Sequence, residues 1–404
     1  MPLKIALVTE TFSPEVNGVA MTLGHVVEGL GRIGHAVTVL RPRQSKTDKA
    51  PVSATHHEEL FPGFPIPGYP LLRLGFPASS RLHRLWTDSR PDLVHVATEG
   101  PLGWSALRTA HRLGIPVTSS FHTNFHAYSR HYGFGLLHRP TLGYLRYFHN
   151  RTRRTFTPTQ ELCDELMVLG FRNLALLSRG VDTALFSPSR RSVALRSSWE
   201  VSSDDPVVLH AGRMAAEKNY GLLFRVFEAM RKANPRCCFV LAGDGPLRRK
   251  LVQDHPECRF VRFIPRSEMA VHYASADVYI HPSLSETFGN VLTEALASGL
   301  AVAGFDYAAA RQFIRHNENG LTVPCDQPEA LVAAAVRLAT DPALVQRLRK
   351  AAPAAVSAQS WEAIIRRFAA ELEQVVAVPP RATRPAKAFP VDVREASVGW
   401  KGRH

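Results

Sequence analysis

The sequence predicts an α/β protein: two Rossmann-like domains in tandem, with parallel sheets facing one another across a cleft. Three observations carry this. Short continuous apolar runs alternate with longer amphipathic stretches, the pattern of strands buried on both faces and joined by crossover helices. The alternation breaks once, near Ser187-Pro188-Ser189-Arg190-Arg191, and resumes after Asp204-Asp205-Pro206. A chain of 404 residues is also long enough for two or three separate cores.

The first series opens with the apolar run Leu3 to Thr9, read as a buried parallel strand. A loop with Pro14, Asn17 and Gly18 leads into a helix expected from about Met21 to Gly34, and Ala36 to Leu40 is the next expected strand. Leu93 to Val96, a helix near Gly103 to Leu113, Val117 to Ser120, a basic helical stretch near 136–154 and Thr155 to Pro158 continue the alternation. The second series places strands near Val207 to Ala211, Cys238 to Ala242, Phe260 to Val261, Val278 to Ile280 and Ala301 to Ala303. Helices are expected between them, near Tyr220 to Ala233, Pro246 to Gln253, Ser267 to Ala274 and from about Asn290. A last amphipathic helix runs from about Trp361 to Val376. The basic tail 379–404, with Pro379, Pro380, Pro385 and Pro390, reads as disordered.

Composition narrows the partners. The chain is 45% hydrophobic and 21% charged, ordinary for a soluble globular protein. The apolar runs Ile5 to Val8 and Leu331 to Ala339 are too short or too interrupted by charge to span a bilayer, and no signal peptide is read. Five cysteines, Cys163, Cys237, Cys238, Cys258 and Cys325, contain no Cys-x-x-Cys pair, which predicts neither a disulfide framework nor a zinc site. A cytoplasmic protein is expected. Against 35 Asp and Glu stand 49 Lys and Arg, a formal charge of +14 that calls for something anionic: nucleic acid, a membrane surface or a phosphorylated substrate. Arg81, Arg84, Arg108, Arg112, Arg146 and Arg151 lie among the aromatics Phe61, Phe64, Tyr69, Trp104, Phe125, Tyr128 and Tyr132. That mixture fits an anionic lipid surface or single-stranded nucleic acid, and equally a solvated basic face over an aromatic core. No zinc-finger, RNP or helix-turn-helix signature accompanies it, so nucleic acid is not the expected partner. The loop from Phe61 to Tyr69 and the basic helices near it predict peripheral contact with an anionic membrane, on the inner face of the cytoplasmic membrane.

Ligands of open α/β sheets bind beyond the carboxyl ends of the strands. There the sequence places its chemistry. Between Glu286 and Glu294 a glycine turn opens an apolar helix, whose first N–H groups and positive dipole end form a site for a diphosphate. Gly289 lets the anion approach, Glu286 accepts hydrogen bonds from sugar hydroxyls, and Glu294 reaches a ribose diol. After the first strand of the second series, Arg213 and Lys218 stand five residues apart, one a fork for phosphate oxygens and the other a point charge. In the first domain Gly18 marks a phosphate-binding turn, and His122 follows a strand and projects into the cleft. Neither Gly-x-Gly-x-x-Gly nor a Walker sequence occurs, which argues against a dinucleotide oxidoreductase or an ATPase.

Taken together, Phe121-His122-Thr123, Ser178-Arg179-Gly180-Val181-Asp182, Gly212-Arg213 with Lys218, Pro282-Ser283 and Glu286 to Glu294 resemble retaining glycosyltransferases of family 4, over residues 3 to about 375. The opening Thr9 to Val19 is similar to the branch holding GDP-mannose-dependent α-mannosyltransferases and diacylglycerol glycosyltransferases. The resemblance implies a GT-B fold, with an acceptor-binding domain at 1–188 completed by a C-terminal helix at 360–378, and a nucleotide-sugar-binding domain at 189–359. It implies hexose transfer from a nucleoside diphosphate sugar, first GDP-mannose, to a membrane lipid or lipid-linked glycan. UDP-glucose with diacylglycerol, or a nucleotide-sugar hydrolase or epimerase on the same scaffold, are the alternatives. By the same resemblance Arg213 and Lys218 bind the diphosphate, Glu294 the ribose and Glu286 the sugar. The backbone amides of Gly289, Asn290, Val291 and Leu292 bind sugar and phosphates, Phe288 belongs to the same donor-binding segment, Gly18 lies beside the β-phosphate, and His122 lies beside the transferring sugar. No cofactor and no metal are required, and no Asp-x-Asp occurs. Two departures stand out: Ala308-Ala309-Ala310 where many relatives carry Gly-Gly, and Asn124 where acidic residues are frequent.

Overall fold

The computed structural model describes residues 1–378 apart from 16, 46, 67–68 and 123–137. Asn124, the aromatics Phe125, Tyr128 and Tyr132, and the tail 379–404 lie outside the described residues. Two wholly parallel sheets form the frame. The first has seven strands: β1 (Lys4–Val8), β2 (Ala36–Pro42), β3 (His56–Phe61), β6 (Leu93–Val96), β7 (Val117–Ser120), β8 (Arg154–Thr157) and β9 (Leu174–Leu176), ordered β3-β2-β1-β6-β7-β8-β9. The second has six: β10 (Val207–Ala211), β11 (Cys238–Ala242), β12 (Arg259–Val261), β13 (Val278–His281), β14 (Ala301–Phe305) and β15 (Gly320–Val323), ordered β12-β11-β10-β13-β14-β15. Val207 to Ala211 is buried at every position, as both faces of the sheet are covered by helices.

In each sheet the strand order reverses beside its first strand, between β1 and β6 and between β10 and β13. Crossovers leave such a point toward opposite faces and open a crevice beyond the carboxyl ends. The loops after β1, β10 and β13 carry Gly18, Arg213 with Lys218, and Glu286 with Gly289.

The amphipathic helix Trp361–Ala377 returns to the first domain. Its Ile365, Phe368, Ala369, Leu372 and Val375 share one core with Leu23, Val26, Val27 and Leu30 of the helix Gly18–Arg32. Where the chain crosses between domains the two crossing segments touch, with Val181 N–H donating to Gln359 O at 2.8 Å. Gly180 is required there, because a Cβ would stand 2.7 Å from the Trp361 Cα.

The region 50–90 differs from expectation. His56-His57-Glu58-Glu59 lacks an apolar alternation, yet it forms the edge strand β3. Glu58 is buried there because the Arg41 Nε donates to its Oε2 at 2.7 Å while Arg41 Nη1 reaches Asp48 Oδ2 at 2.6 Å. The stretch from Phe61 to Tyr69, expected as a loop, contributes to an antiparallel hairpin of β4 (Gly63–Ile66) and β5 (Tyr69–Gly75). Pro65 and Pro70 do not donate to a ladder, and the hairpin stays outside the main sheet.

Candidate active site

The helix Asn290–Ala297 starts on Gly289, whose φ of +98° and ψ of 63° are left-handed and suit glycine. No side chain caps it. The Leu292 N–H turns back onto Gly289 O at 3.0 Å, so of the four expected donors at Gly289 to Leu292 the Gly289, Asn290 and Val291 amides remain at the open helix start. Phe288 and Leu292 are core residues: Phe288 is 1% exposed and packs edge-on against Phe313. They place the turn; their side chains do not line it.

Two loops are tied together beside this start. Asn219, itself at φ +57°, donates from Nδ2 to Pro282 O at 3.2 Å, and Ser285 Oγ donates to Glu217 O at 2.8 Å. The tie brings Lys218 Nζ to 2.5 Å from Glu286 Oε1. Burial alone would push the Glu286 carboxyl up, but Lys218 and the nearby His281 hold it down at about 2. His281 is buried, with Nε2 at 4.0 Å from Glu286 and Nδ1 without a partner, and burial lowers its pKa to about 4. Sequence reasoning passed over His281, which closes β13; its signal was its place directly after the expected strand Val278 to Ile280 and two residues before Ser283.

Arg213 is largely exposed and its Nε donates to Glu217 Oε1 at 3.1 Å, on the rim of the same loop. Glu294 lies deeper. Burial raises its carboxyl to about 7, against the pull of Arg266, whose Nη2 is 3.4 Å away, and of Tyr273. Arg266, which no motif singled out, also approaches His25 Nε2 of the first domain at 3.4 Å, while His25 stacks on Trp361 at 4.5 Å.

From the first domain, Gly18 is exposed and begins its helix. Asn17 caps that helix, with Oδ1 accepting from Val19 N–H at 3.0 Å and Ala20 N–H at 2.9 Å, so the turn spends two of its amides on itself. His122 is half-buried with both ring nitrogens shut off from solvent and unpartnered, and burial keeps it neutral, well below its ordinary pKa. Its carbonyl accepts from Thr287 Oγ1 at 3.3 Å, across the cleft. Arg179, quoted in a motif but given no role by the sequence, is buried beside Gly18 with its guanidinium 5.8 Å above the Phe288 ring.

A parallel two-domain frame with a cation, a carboxylate and an open helix start at one switch point, facing a glycine turn and a histidine from the other domain, defines a GT-B glycosyltransferase. Comparison with known proteins agrees. The family profile described as Glycosyltransferase Family 4 matches residues 16–185, and that described as Glycosyl transferases group 1 matches 205–341. The chain is 30% identical over 390 residues to a GDP-mannose-dependent alpha-mannosyltransferase of Corynebacterium glutamicum, covering 94% of this chain and 91% of that protein. It is 26% identical to an alpha-monoglucosyldiacylglycerol synthase of Acholeplasma laidlawii, covering 86% and 91%. Among solved structures it resembles sucrose-phosphate synthase of Thermosynechococcus elongatus, with a TM-score of 0.77 at 20% identity, covering 93% of this chain and 99% of that one. The chain belongs to glycosyltransferase family 4 and is a hexosyltransferase. Among the described residues no helix is long and apolar enough to cross a membrane.

Proposed function

We propose that this protein transfers mannose from GDP-mannose, with retention at the anomeric carbon, to a membrane lipid or lipid-linked glycan. The observation that carries the proposal is the meeting of Lys218, Glu286 and the Asn290 helix start at one switch point, in a chain that aligns over nearly its whole length with a GDP-mannose-dependent relative. In the proposed step the bond from the anomeric carbon to the phosphate oxygen breaks, and the acceptor oxygen bonds to that carbon on the same face. The acceptor proton passes to the departing phosphate. Negative charge grows on the diphosphate, where Lys218, Arg213 and the Asn290 and Val291 amides receive it; such pre-aimed donors contribute about 3 kcal/mol each. Glu286, ionised at any ordinary pH, accepts from the sugar hydroxyls, and Glu294 accepts from the ribose. These cations and amides leave no step that needs magnesium, and activity is expected to survive EDTA.

Thermal-shift binding against GDP, UDP, ADP and their hexoses, followed by product analysis, tests the reading. Stabilisation by GDP-mannose and glycolipid product support it. Stabilisation by UDP-glucose with diacylglycerol as acceptor moves the assignment to the second reading, which the Acholeplasma relative favours. Free sugar released without an acceptor makes the protein a hydrolase. Peripheral membrane contact belongs to the same proposal and is supported by exposed Phe76, Tyr144 and Tyr147 on the first domain, with Arg151 stacked 3.3 Å over the Tyr147 ring. Liposome flotation without preference for anionic lipid would remove it.

A further inference from the structure

We propose that Arg179 is a third phosphate-binding cation of the donor site, supplied by the segment that joins the two domains. The proposal rests on the nucleotide-sugar reading above and names a residue that reading does not use.

Arg179 is the odd one among the buried guanidiniums. Arg41 is neutralised by Asp48 and Glu58. Arg196 bonds Asp277 at 3.0 Å and the carbonyls of Ser202 and Asp205 at 2.7 and 2.8 Å. Arg179 is equally buried, at 7% exposure, yet among the described residues it has no ion pair and no hydrogen bond, and its Nε is sealed from solvent without a partner. A buried charge left uncompensated is among the most unfavourable arrangements a fold retains. Burial pulls its pKa down to about 10, with Glu286 the carboxylate that resists the fall. A site that keeps such a cation is completed by an anion arriving from outside.

Geometry says where the anion arrives. The guanidinium lies over Phe288, immediately before the Gly289 helix start of the second domain, and its Nη1 is 3.7 Å from where a Cβ on Gly18 would be. Arg179 thus stands between the two glycine-marked helix starts, one from each domain. Its backbone cannot drift, because Gly180 is pressed against the Trp361 Cα. Behind it lies a cavity of about 30 Å³, lined also by His95, Ser120, His122 and Trp361, with room for a water and not for a phosphate. The phosphate must therefore meet Arg179 from the cleft, at Gly18. Unlike Arg213, which sits on the rim against Glu217, Arg179 is preorganised and needs no ion pair broken.

Calorimetric titration of wild type, Arg179→Met and Arg179→Lys with GDP and GMP, or UDP and UMP if uridine nucleotides are the ones that stabilise the wild type, tests this. Arg179→Met is expected to weaken the diphosphate by about tenfold or more while changing the monophosphate by less than about twofold, and Arg179→Lys to recover part of the loss. The ligand-free melting temperature of Arg179→Met is expected to rise, since the uncompensated charge is gone. Equal effects on the two nucleotides, no effect on either, or a lower ligand-free melting temperature would each overturn the proposal. Wild-type protein that binds no nucleoside diphosphate would overturn the donor reading itself, and this with it.

Discussion

Lys218 and Glu286 come from loops after different strands and form an ion pair that, under the proposed function, a sugar-nucleotide donor opens or shares. Each is mostly out of water, with side-chain exposures of 18% and 14%. Removing one partner of such a pair leaves the other as a desolvated charge, so Lys218→Met is expected to destabilise the protein by about 3 kcal/mol in urea denaturation. The double variant with Glu286→Gln removes both charges and is expected to recover most of that loss. Activity should not recover: both are expected to turn over at least about a hundredfold more slowly than wild type. Recovery of turnover along with stability would make the pair a structural clasp and nothing more.

Across the cleft the elements meet through few contacts, and one is strained. Ala308 adopts φ +50° and ψ −123°, a region that favours glycine, at the position where the sequence departs from the Gly-Gly of many relatives. Its N–H donates to Glu161 Oε2 of the first domain at 3.0 Å, and Arg311 pairs with the other oxygen of the same carboxylate. Two domains therefore hold the loop in its strained form. Ala308→Gly is expected to stabilise the protein by about 1 kcal/mol, the relieved strain exceeding the entropy glycine adds to the unfolded chain. An unchanged or lower denaturation midpoint would show that the loop relaxes at no gain. The sequence showed this as a departure and not as strain, because φ depends on what Glu161 holds from 147 residues away. The same limit explains the other gaps. Strands β10 and β11 and the helix Tyr220–Ala233 were legible to the residue, since their apolar runs are bounded by Gly, Pro or polar breaks. The polar edge strand β3 was not legible, because Glu58 is tolerated only through Arg41. At the candidate site Lys218 and Glu286 were singled out by their places after strands and the fold brings them together, whereas Arg266 and the empty surroundings of Arg179 depend on contacts between residues far apart in sequence.

For the molecule as a whole, burial of titratable groups sets a pH window in which two sets of side chains pull oppositely. His95 stays neutral down to about 3, His210 and His281 down to about 4, and His122 well below its ordinary value, all through burial. The unfolded chain takes up protons on these four as pH falls through 6.5 and the native chain does not, so their contribution to stability is lost from about 6.5 downward. Glu10 and Glu294, raised by burial to about 7, act the other way. The native chain keeps protons there that the unfolded chain releases near 4.5, so their contribution falls as pH rises from about 4.5 to 7. Four histidines outweigh two carboxylates between these limits, and below 4.5 Glu286, held at about 2, adds its own loss. Melting temperature is therefore expected to peak between about pH 6.5 and 7 and to fall steadily toward 4.5; a flat or rising profile would mean that the carboxylates dominate. Glu294 carries the same titration into function. Near pH 7 it is only partly ionised, and a carboxylate accepts from both ribose hydroxyls where a carboxylic acid accepts from fewer. Affinity for GDP is expected to rise about threefold between pH 6.5 and 8 in the wild type and to stay flat in Glu294→Gln, which holds one protonation state throughout. A slope that survives in Glu294→Gln would transfer the dependence to the phosphate groups of the nucleotide and leave Glu294 out of ribose recognition.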